Sequence, residues 1–349
     1  MKSQITKIDL FEDLKIDDSI SVSSPFETLE YLRAMEQSDS ASEKSGWLPD
    51  HLGEVENKNL TSFLPIYKKF NSYGEFIFDH QWANALHGAG RNYYPKLLTA
   101  IPFTPCEGER ILGKDEATKI RLIEACIDKL QEEEIESWHV LFPGKPTALL
   151  LRDRDFVERF NYRFVWQNDD FGTFDDFLSI FTARQRSTIR KERKSIVNAQ
   201  VTFSCKSNDE ITKEDWDLFY TFYQQTYFEH GQQPYLTREF FNKINTQNPL
   251  LKPVIFFAHD EHEAIAASLC FEGPDTLYGR HWGTLKNVKN LHFECCYYQG
   301  IEYCIKNKIK FFDPGVQGEH KIRRGFQPKL TSSFHYFLAK DLSQAVQGF

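Results

Sequence analysis

Apolar and polar positions alternate along this chain in two rhythms. Ile120, Ile123, Ala125, Ile127 and Leu130 fall at helical spacing and predict an amphipathic helix over 117–134. Phe26, Leu29, Tyr31, Leu32 and Met35 predict another, with Ser24 placed to cap it and Pro25 in its first turn. Short runs at 62–67, 74–78, 93–100 and 138–142 read as strands, the last ending in the turn Pro143-Gly144, and 83–89 as a short helix or loop. A second cycle starts near Arg163. It has a strand at 164–166, a long helix over 174–199, a strand at 201–205, and helices at 215–230 and 237–245. Three β-like runs follow at 254–259, 263–271 and 276–282, then a helix at 292–307 and strands at 310–312 and 330–338. The order is that of an α+β protein, and the first half is a rougher version of it.

Length agrees with two cycles. At 349 residues the chain exceeds the ~100–200 of one domain, and the division expected is 1–162 and 163–349. With 41% hydrophobic and 26% charged residues, disordered and fibrous classes are excluded. Aromatic residues reach 15%, against only 2 Met, so the cores are expected to be built on rings. The net charge of −8 argues against a chain that binds nucleic acid or anionic membrane over its whole surface. No apolar run approaches the ~18 residues of a membrane span, and the opening residues lack a signal-peptide core. Seven cysteines without paired spacing read as reduced thiols. These features point to a cytoplasmic protein with no membrane insertion and no DNA partner.

Three constellations carry candidate chemistry. In the helix over 174–199, Phe174, Phe177, Leu178, Phe181, Ile189 and Ile196 form one stripe, and Arg184, Arg186, Arg190, Lys191, Arg193 and Lys194 fill the remaining arc. Between positions 184 and 194, six cations against Glu192 alone suit a phosphate-bearing ligand, a nucleotide tail, RNA or CoA; the bland counterpart is a solvated helix face. The segment Gly315-Val316-Gln317-Gly318-Glu319-His320-Lys321-Ile322-Arg323-Arg324-Gly325-Phe326 offers tight turns, acid/base groups in Glu319 and His320, and cations for an anion. It has neither P-loop nor dinucleotide-fingerprint spacing, and otherwise reads as a basic connector. Tyr278-Gly279-Arg280-His281-Trp282-Gly283 leads to a helix whose first turn holds His292 and Glu294. Glu294 is there either a favourable first-turn charge or a general base. His281, His292, Cys295 and Cys296 fit no zinc spacing, so no metal is expected.

These segments, with others upstream, resemble the FemAB-like, predicted N-acyltransferase family of peptidoglycan biosynthesis/recognition, within the GNAT superfamily. Ser72-Tyr73-Gly74-Glu75-Phe76-Ile77-Phe78-Asp79 with Trp82-Ala83 is similar to its SxGEyxFD–WA stretch. Tyr93-Tyr94-Pro95-Lys96-Leu97 and Pro102-Phe103-Thr104-Pro105 are similar to YYPKL and PFTP, Arg186–Arg193 to its basic helix, Leu291–Gly300 to LHFExCYYQG, and Gly315–Phe326 to GAQGEHKxxRGF. The resemblance covers 24 to the C-terminal strand. Departures are Val316 for Ala, His281 where Tyr is usual, Val165 where a His precedes Trp166, and Glu109 interrupting GPR.

The resemblance implies tandem GNAT-like domains, with mixed, mostly antiparallel sheets flanked by helices and the donor cleft in the second. It implies an acyl or aminoacyl group moved from acyl-CoA or aminoacyl-tRNA to an amine by direct transfer, with no tightly bound cofactor and tRNA as a possible partner. The alternative is a non-catalytic GNAT-fold protein that recognises cell-wall fragments or RNA. The strands 263–271 and 276–282 are expected to splay around the donor. The usual pyrophosphate loop between those strands and the next helix is missing, with Lys286 and Lys289 as partial substitutes, which favours a tRNA donor. The base is expected among Glu294, Glu319 and His320. Arg190, Arg193, Lys194, Lys286, Lys321 and Arg324 are expected on donor phosphates or an acidic acceptor. Tyr278, His281, Trp282, His292, Asp79 and Trp82 are expected to line a cleft.

Overall fold

The two rhythms resolve, in a computed structural model that describes residues 4–77, 79–244, 250–315 and 318–347, into the following elements. The first half contains β1 (Thr6–Ile8), β2 (Lys15–Ile16), α1 (Leu29–Gln37), β3 (Trp47–Pro49), β4 (His51–Glu56), β5 (Asn59–Leu64), β6 (Tyr67–Lys69), α2 (His80–Gly88), β7 (Lys96–Thr99), β8 (Leu112–Gly113), α3 (Glu116–Glu132), β9 (Ser137–Leu141), α4 (Lys145–Arg152) and β10 (Val157–Gln167). The second contains α5 (Phe174–Ser179), α6 (Ala183–Asn198), β11 (Thr202–Ser207), α7 (Lys213–Glu229), α8 (Arg238–Ile244), β12 (Pro253–Asp260), β13 (Glu263–Glu272), β14 (Thr276–Thr284), α9 (Leu291–Phe293), α10 (Gln299–Asn307), β15 (Phe311–Asp313), β16 (Gln327–Phe337) and α11 (Lys340–Gln347). Two units emerge, 1–161 with 330–349, and 162–329. Residues 330–349, expected with the second half, belong to the first unit because Ser333–Phe337 of β16 pairs antiparallel with Ser137–Leu141 of β9.

In the first unit the main sheet runs β3-β6-β7-β9-β16. Strands β7 and β9 are parallel, Leu97–Thr99 against Trp138–Val140, and α3 is the crossover between them. Asp115 caps α3 by accepting from the Thr118 N–H at 2.7 Å. Leu122, Ile123, Cys126 and Leu130 then pack on Leu97, Trp138, Val140 and Phe334, one face of the sheet. The period of two sends Lys69, Lys96, His139 and His335 to the opposite face. A smaller sheet, β1-β4-β5-β2 with β8 on β5, was not visible in the sequence, nor was α4. The strand expected at 74–78 is a loop over its described part, with Gly74 and Phe76 at positive φ; Phe78 lies outside the described residues.

The second unit orders its strands β11-β12-β13-β14-β15, with the end of β10 beside β15. Again the last two of the run, β14 and β15, are parallel and joined by a helical crossover. Trp166, Phe177, Leu277, Tyr298, Phe312 and Phe326 build much of its core, so the aromatic surplus is largely interior. Helix α7 lies directly on β14. A Cβ on Gly283 would stand 2.0 Å from the Phe222 carbonyl oxygen, so only glycine permits the approach.

The single helix expected over 174–199 is two. Thr173 with Asp176 and Thr182 with Gln185 each form a capping box, and the second restarts the chain as α6. The helix expected over 292–307 carries a π turn at Glu294–Tyr298 between α9 and α10. The splay expected between 263–271 and 276–282 is absent. β13 and β14 form a hairpin paired from Ala266↔Thr284 to Glu272↔Leu277, as strands joined by a short turn do. The divergence lies on the other edge of β14. Its pairing with β15 covers only Thr276–Tyr278, after which β14 runs on to Thr284 while β15 stops at Asp313. Pro314 follows with no N–H to continue a ladder.

Candidate functional site

In the second unit, a cleft of ≈580 Å³ is lined by Thr188, Ile189, Glu192, Phe293, Glu319, His320, Ile322, Arg323 and Arg324. Two of the three expected acid/base residues, Glu319 and His320, are therefore in one cavity. They belong to a 3-10 turn, Glu319–Arg324, that starts after Gly318. Gly318 has φ 108°, and a Cβ there would stand 2.3 Å from the His320 ring, so this glycine lets the imidazole fold back. His320 Nε2 is 2.9 Å from the Tyr297 hydroxyl. Burial, with Arg324 and Lys321 nearby, lowers the His320 pKa below its ordinary value, so the ring is neutral at neutral pH.

An aromatic row leads from β14 to this cleft. The Trp282 ring meets His292 edge-on at 5.5 Å, His292 meets Tyr297 at 5.4 Å, and Tyr297 lies 5.8 Å from His320. Burial pushes His292 down to about 4, so it too is neutral. Tyr278 is buried on β14. His281 faces Tyr223 at 5.2 Å and Phe241 at 6.5 Å, in the packing under α7, and burial lowers it to about 3.

The cations divide into engaged and presented groups. Arg324 is buried; its Nη2 donates to Glu192 Oε1 at 2.6 Å and its Nε to Oε2 at 3.1 Å, with the guanidinium 3.5 Å from the Phe293 ring centroid. The Tyr298 hydroxyl also donates to Glu192. The one acid in α6 is thus a half-buried hub. Arg193 turns inward to Glu294 (2.9 Å) and Glu302 (2.9 Å). Glu294, expected as a base, is buried and also accepts from Gln299 Nε2 at 2.9 Å, so its lone pairs are largely spent on fixed donors. Lys321 donates to the carbonyls of Gly315 (2.7 Å) and Pro314 (3.3 Å), tying down the chain that leaves β15. Burial, with Arg163 and Arg280 nearby, lowers it to about 7. Arg190 pairs with Asp175 at 3.0 Å and Lys286 with Asp260 at 2.7 Å, both at the surface. Lys194 is exposed. No group of three or more metal-ligating side chains occurs among the described residues.

Asp79 and Trp82 belong to the first unit, on the polar face of its sheet. Lys96, fully buried, donates to Glu75 Oε2 (2.8 Å), Ser72 Oγ (2.9 Å) and Asp79 Oδ2. The Tyr93 hydroxyl donates to the same Asp79 oxygen at 2.6 Å. Burial raises the Asp79 pKa, but Lys96 and the Tyr93 donor outweigh it and hold the carboxyl low. Lys69, opposite Lys96 in the ladder, stands 3.9 Å over the Trp47 ring. Burial drives it down to about 7 despite Glu75, and Lys96 adds to the fall. Farther along the face His139 and His335 are direct ladder partners with Nδ1 atoms 2.7 Å apart, and Trp82 packs edge-on to His335 at 4.7 Å. The sequence reading singled out Asp79 and Trp82 from this network and missed both lysines and both histidines. Alternation along β6, β7, β9 and β16 was the signal that could have found them, because it puts four ionisable residues on a face that should be apolar.

A family model for FemAB-like proteins, described as peptidoglycan biosynthesis/recognition, matches residues 7–349. A search among curated proteins finds no match. Among solved structures, FemX aligns at TM-score 0.53 and 10% identity over 99% of this chain and 100% of its own. L-PGS from Bacillus licheniformis aligns at TM-score 0.54 and 8% identity over 94% and 98%. A conserved protein of unknown function from Bacteroides thetaiotaomicron aligns at TM-score 0.52 and 12% identity over 97% and 100%. At such identities the likeness is one of fold, and it spans both units.

Proposed function

Because the chain belongs to the FemAB-like family, we propose that it is a transferase that moves an acyl or aminoacyl group to an amine, with its reacting centre in the second unit. The observation that carries this is a cleft that holds both Glu319 and His320 and that an aromatic row joins to β14, the strand that parts from β15. Beyond Tyr278, β14 extends to Thr284, past the end of its pairing with β15. A strand edge of this kind suits an extended donor arm and an oxyanion.

His320 takes the proton from the acceptor's ammonium, for which its neutral ring is suited. The free amine attacks the donor carbonyl, and the tetrahedral intermediate expels the CoA thiolate or the tRNA hydroxyl oxygen, which recovers a proton. The Tyr297 hydroxyl orients the imidazole. Glu319, beside it in the cleft, binds the incoming ammonium. Glu294 supports α6 through Arg193 and is not the base in this reading. The exposed cations of α6, among them Lys194, and surface Lys286 face the polyanionic part of the donor. Aminoacyl-tRNA is the favoured donor, since the usual pyrophosphate loop is missing before α9.

The test is transfer activity on a panel of acyl-CoAs and aminoacyl-tRNAs with amine acceptors, joined to mass spectrometry of what co-purifies. Turnover with one donor class supports the reading. Binding of muropeptides with no product from any donor overturns it in favour of pure recognition.

A further inference from the structure

A second cavity lies wholly within the first unit. We propose that it binds a small α-amino acid as the zwitterion, independently of the transfer site. It measures ≈160 Å³, about the size of an apolar cavity that holds one benzene ring (~150 Å³). Its position is the carboxyl end of β9, where the chain turns through Pro143 into α4.

The lining has three chemistries. Pro143, Phe160 and Leu330 form an apolar wall, and Phe160 and Leu330 are 59% and 50% exposed, more than an unliganded apolar wall favours. Lys145 and Glu107 bring opposite charges to the same cavity. Arg152, also present, is engaged by Glu158, with Nε to Oε2 at 2.8 Å, so Lys145 is the cation left to meet a carboxylate. Thr331 lines the cavity, is 5% exposed, and its hydroxyl has no hydrogen-bond partner. A buried hydroxyl in that state calls for a polar ligand atom or water. The amino end of α4 is already served by Glu109, whose carboxylate accepts from the Thr147 hydroxyl at 2.7 Å, so a ligand's carboxylate depends on the Lys145 side chain. One carboxylate for Lys145, one ammonium for Glu107 and an apolar group for Phe160 and Leu330 describe an amino acid with a compact aliphatic side chain.

Titration calorimetry on the full chain tests this, with L-valine, L-leucine and glycine as probes and isovalerate and isobutylamine as half-molecules. Valine or leucine is expected to bind, with glycine and both half-molecules at least roughly tenfold weaker. Lys145→Ala and Phe160→Ala, both at exposed positions and so expected to fold, are each expected to weaken binding roughly tenfold. No binding of any amino acid at millimolar concentration overturns the proposal. So does affinity unchanged in Lys145→Ala, or isovalerate binding as tightly as leucine. Transfer activity is expected to be unchanged in both variants, which separates failure here from failure of the transfer reading.

Discussion

The two units contain the same device in different states. Each has two parallel strands joined by a helical crossover and paired over only three residues: β7 with β9, and β14 with β15. In the second unit the strands part beyond that pairing, and the chain after β15 goes on to line a cleft with Glu319, His320 and Arg324. In the first unit the backbone at the corresponding end is bonded to a returning loop. Gly108 N–H donates to Phe142 O at 3.1 Å and Gly144 N–H to Gly108 O at 2.6 Å. Arg110, buried to 1% exposure, donates through Nε to Leu141 O at 3.0 Å and through Nη2 to Cys106 O. A guanidinium and a returning loop therefore hold the strand ends of the first unit, whereas in the second unit Lys321 holds the carbonyls that follow β15. One fold makes an opening or a seal according to what the chain does immediately after the parallel pair.

Four experiments would break or sharpen that contrast. The largest effect is expected in the second unit, where His320→Ala should lower the transfer rate by about 10²–10⁴ with little change in stability, read by steady-state kinetics beside a denaturant melt. An unchanged rate would remove His320 from the site. Next, Lys96→Met in the first unit strips the buried partner of Asp79 and Glu75. It should cost about 3–5 kcal/mol in denaturant unfolding, and a cost near zero would show that the polar face does not hold the unit together.

Third, Arg110→Ala should cost about 2–4 kcal/mol, since buried carbonyls at Leu141 and Cys106 lose their donor. If it costs less than about 1 kcal/mol, the seal is held by the backbone alone.

The fourth is graded by pH. Burial depresses His139 and His335, the latter to about 3, below an unfolded value near 6.5. The unfolded chain thus binds more protons, and stability is full above pH ~6.5 and falls as the pH drops toward the folded values. Two such groups give up to about 2.7 kcal/mol per pH unit, and His335→Gln should roughly halve the pair's share of that slope. His281 and His292 add the same trend in the second unit. A flat stability profile between pH 6 and 4, on the scale of these pKa values, would mean that the histidines are not held neutral.

The sequence made the crossovers legible because periodicity reports which face is buried. α3 and the hairpins β12–β14 emerged nearly as read. It concealed the break between α5 and α6, since Thr182 with Gln185 ends one helix and starts another without interrupting the apolar stripe through Phe181 and Ile189. It also misplaced the splay. Local pattern locates strands, but pairing on the far edge of β14 depends on where β15 stops, a long-range fact. At the site, charge marked α6 correctly as basic but could not say that Arg193 points inward or that Glu192 is a hub. Glu319 and His320 were found because their glycines flagged a tight backbone. The lysine and histidine pairs of the first unit were passed over because each residue alone looked like an ordinary surface position.

The π turn at Glu294–Tyr298 has a mechanical meaning. In a regular helix at about 100° per residue, positions eight apart point some 80° away from each other. A π turn absorbs about one extra residue, so Glu294 and Glu302 behave as if seven apart, close to two full turns. Both carboxylates then face the same way, and one guanidinium, that of Arg193, clasps both. The extra residue acts as a phase shifter between the start of the helix, which presents Phe293 to the cleft, and its remainder, which packs in the core. Removing a single residue from 295–298 would rotate one end against the other and open the clasp without altering any of the three side chains that form it.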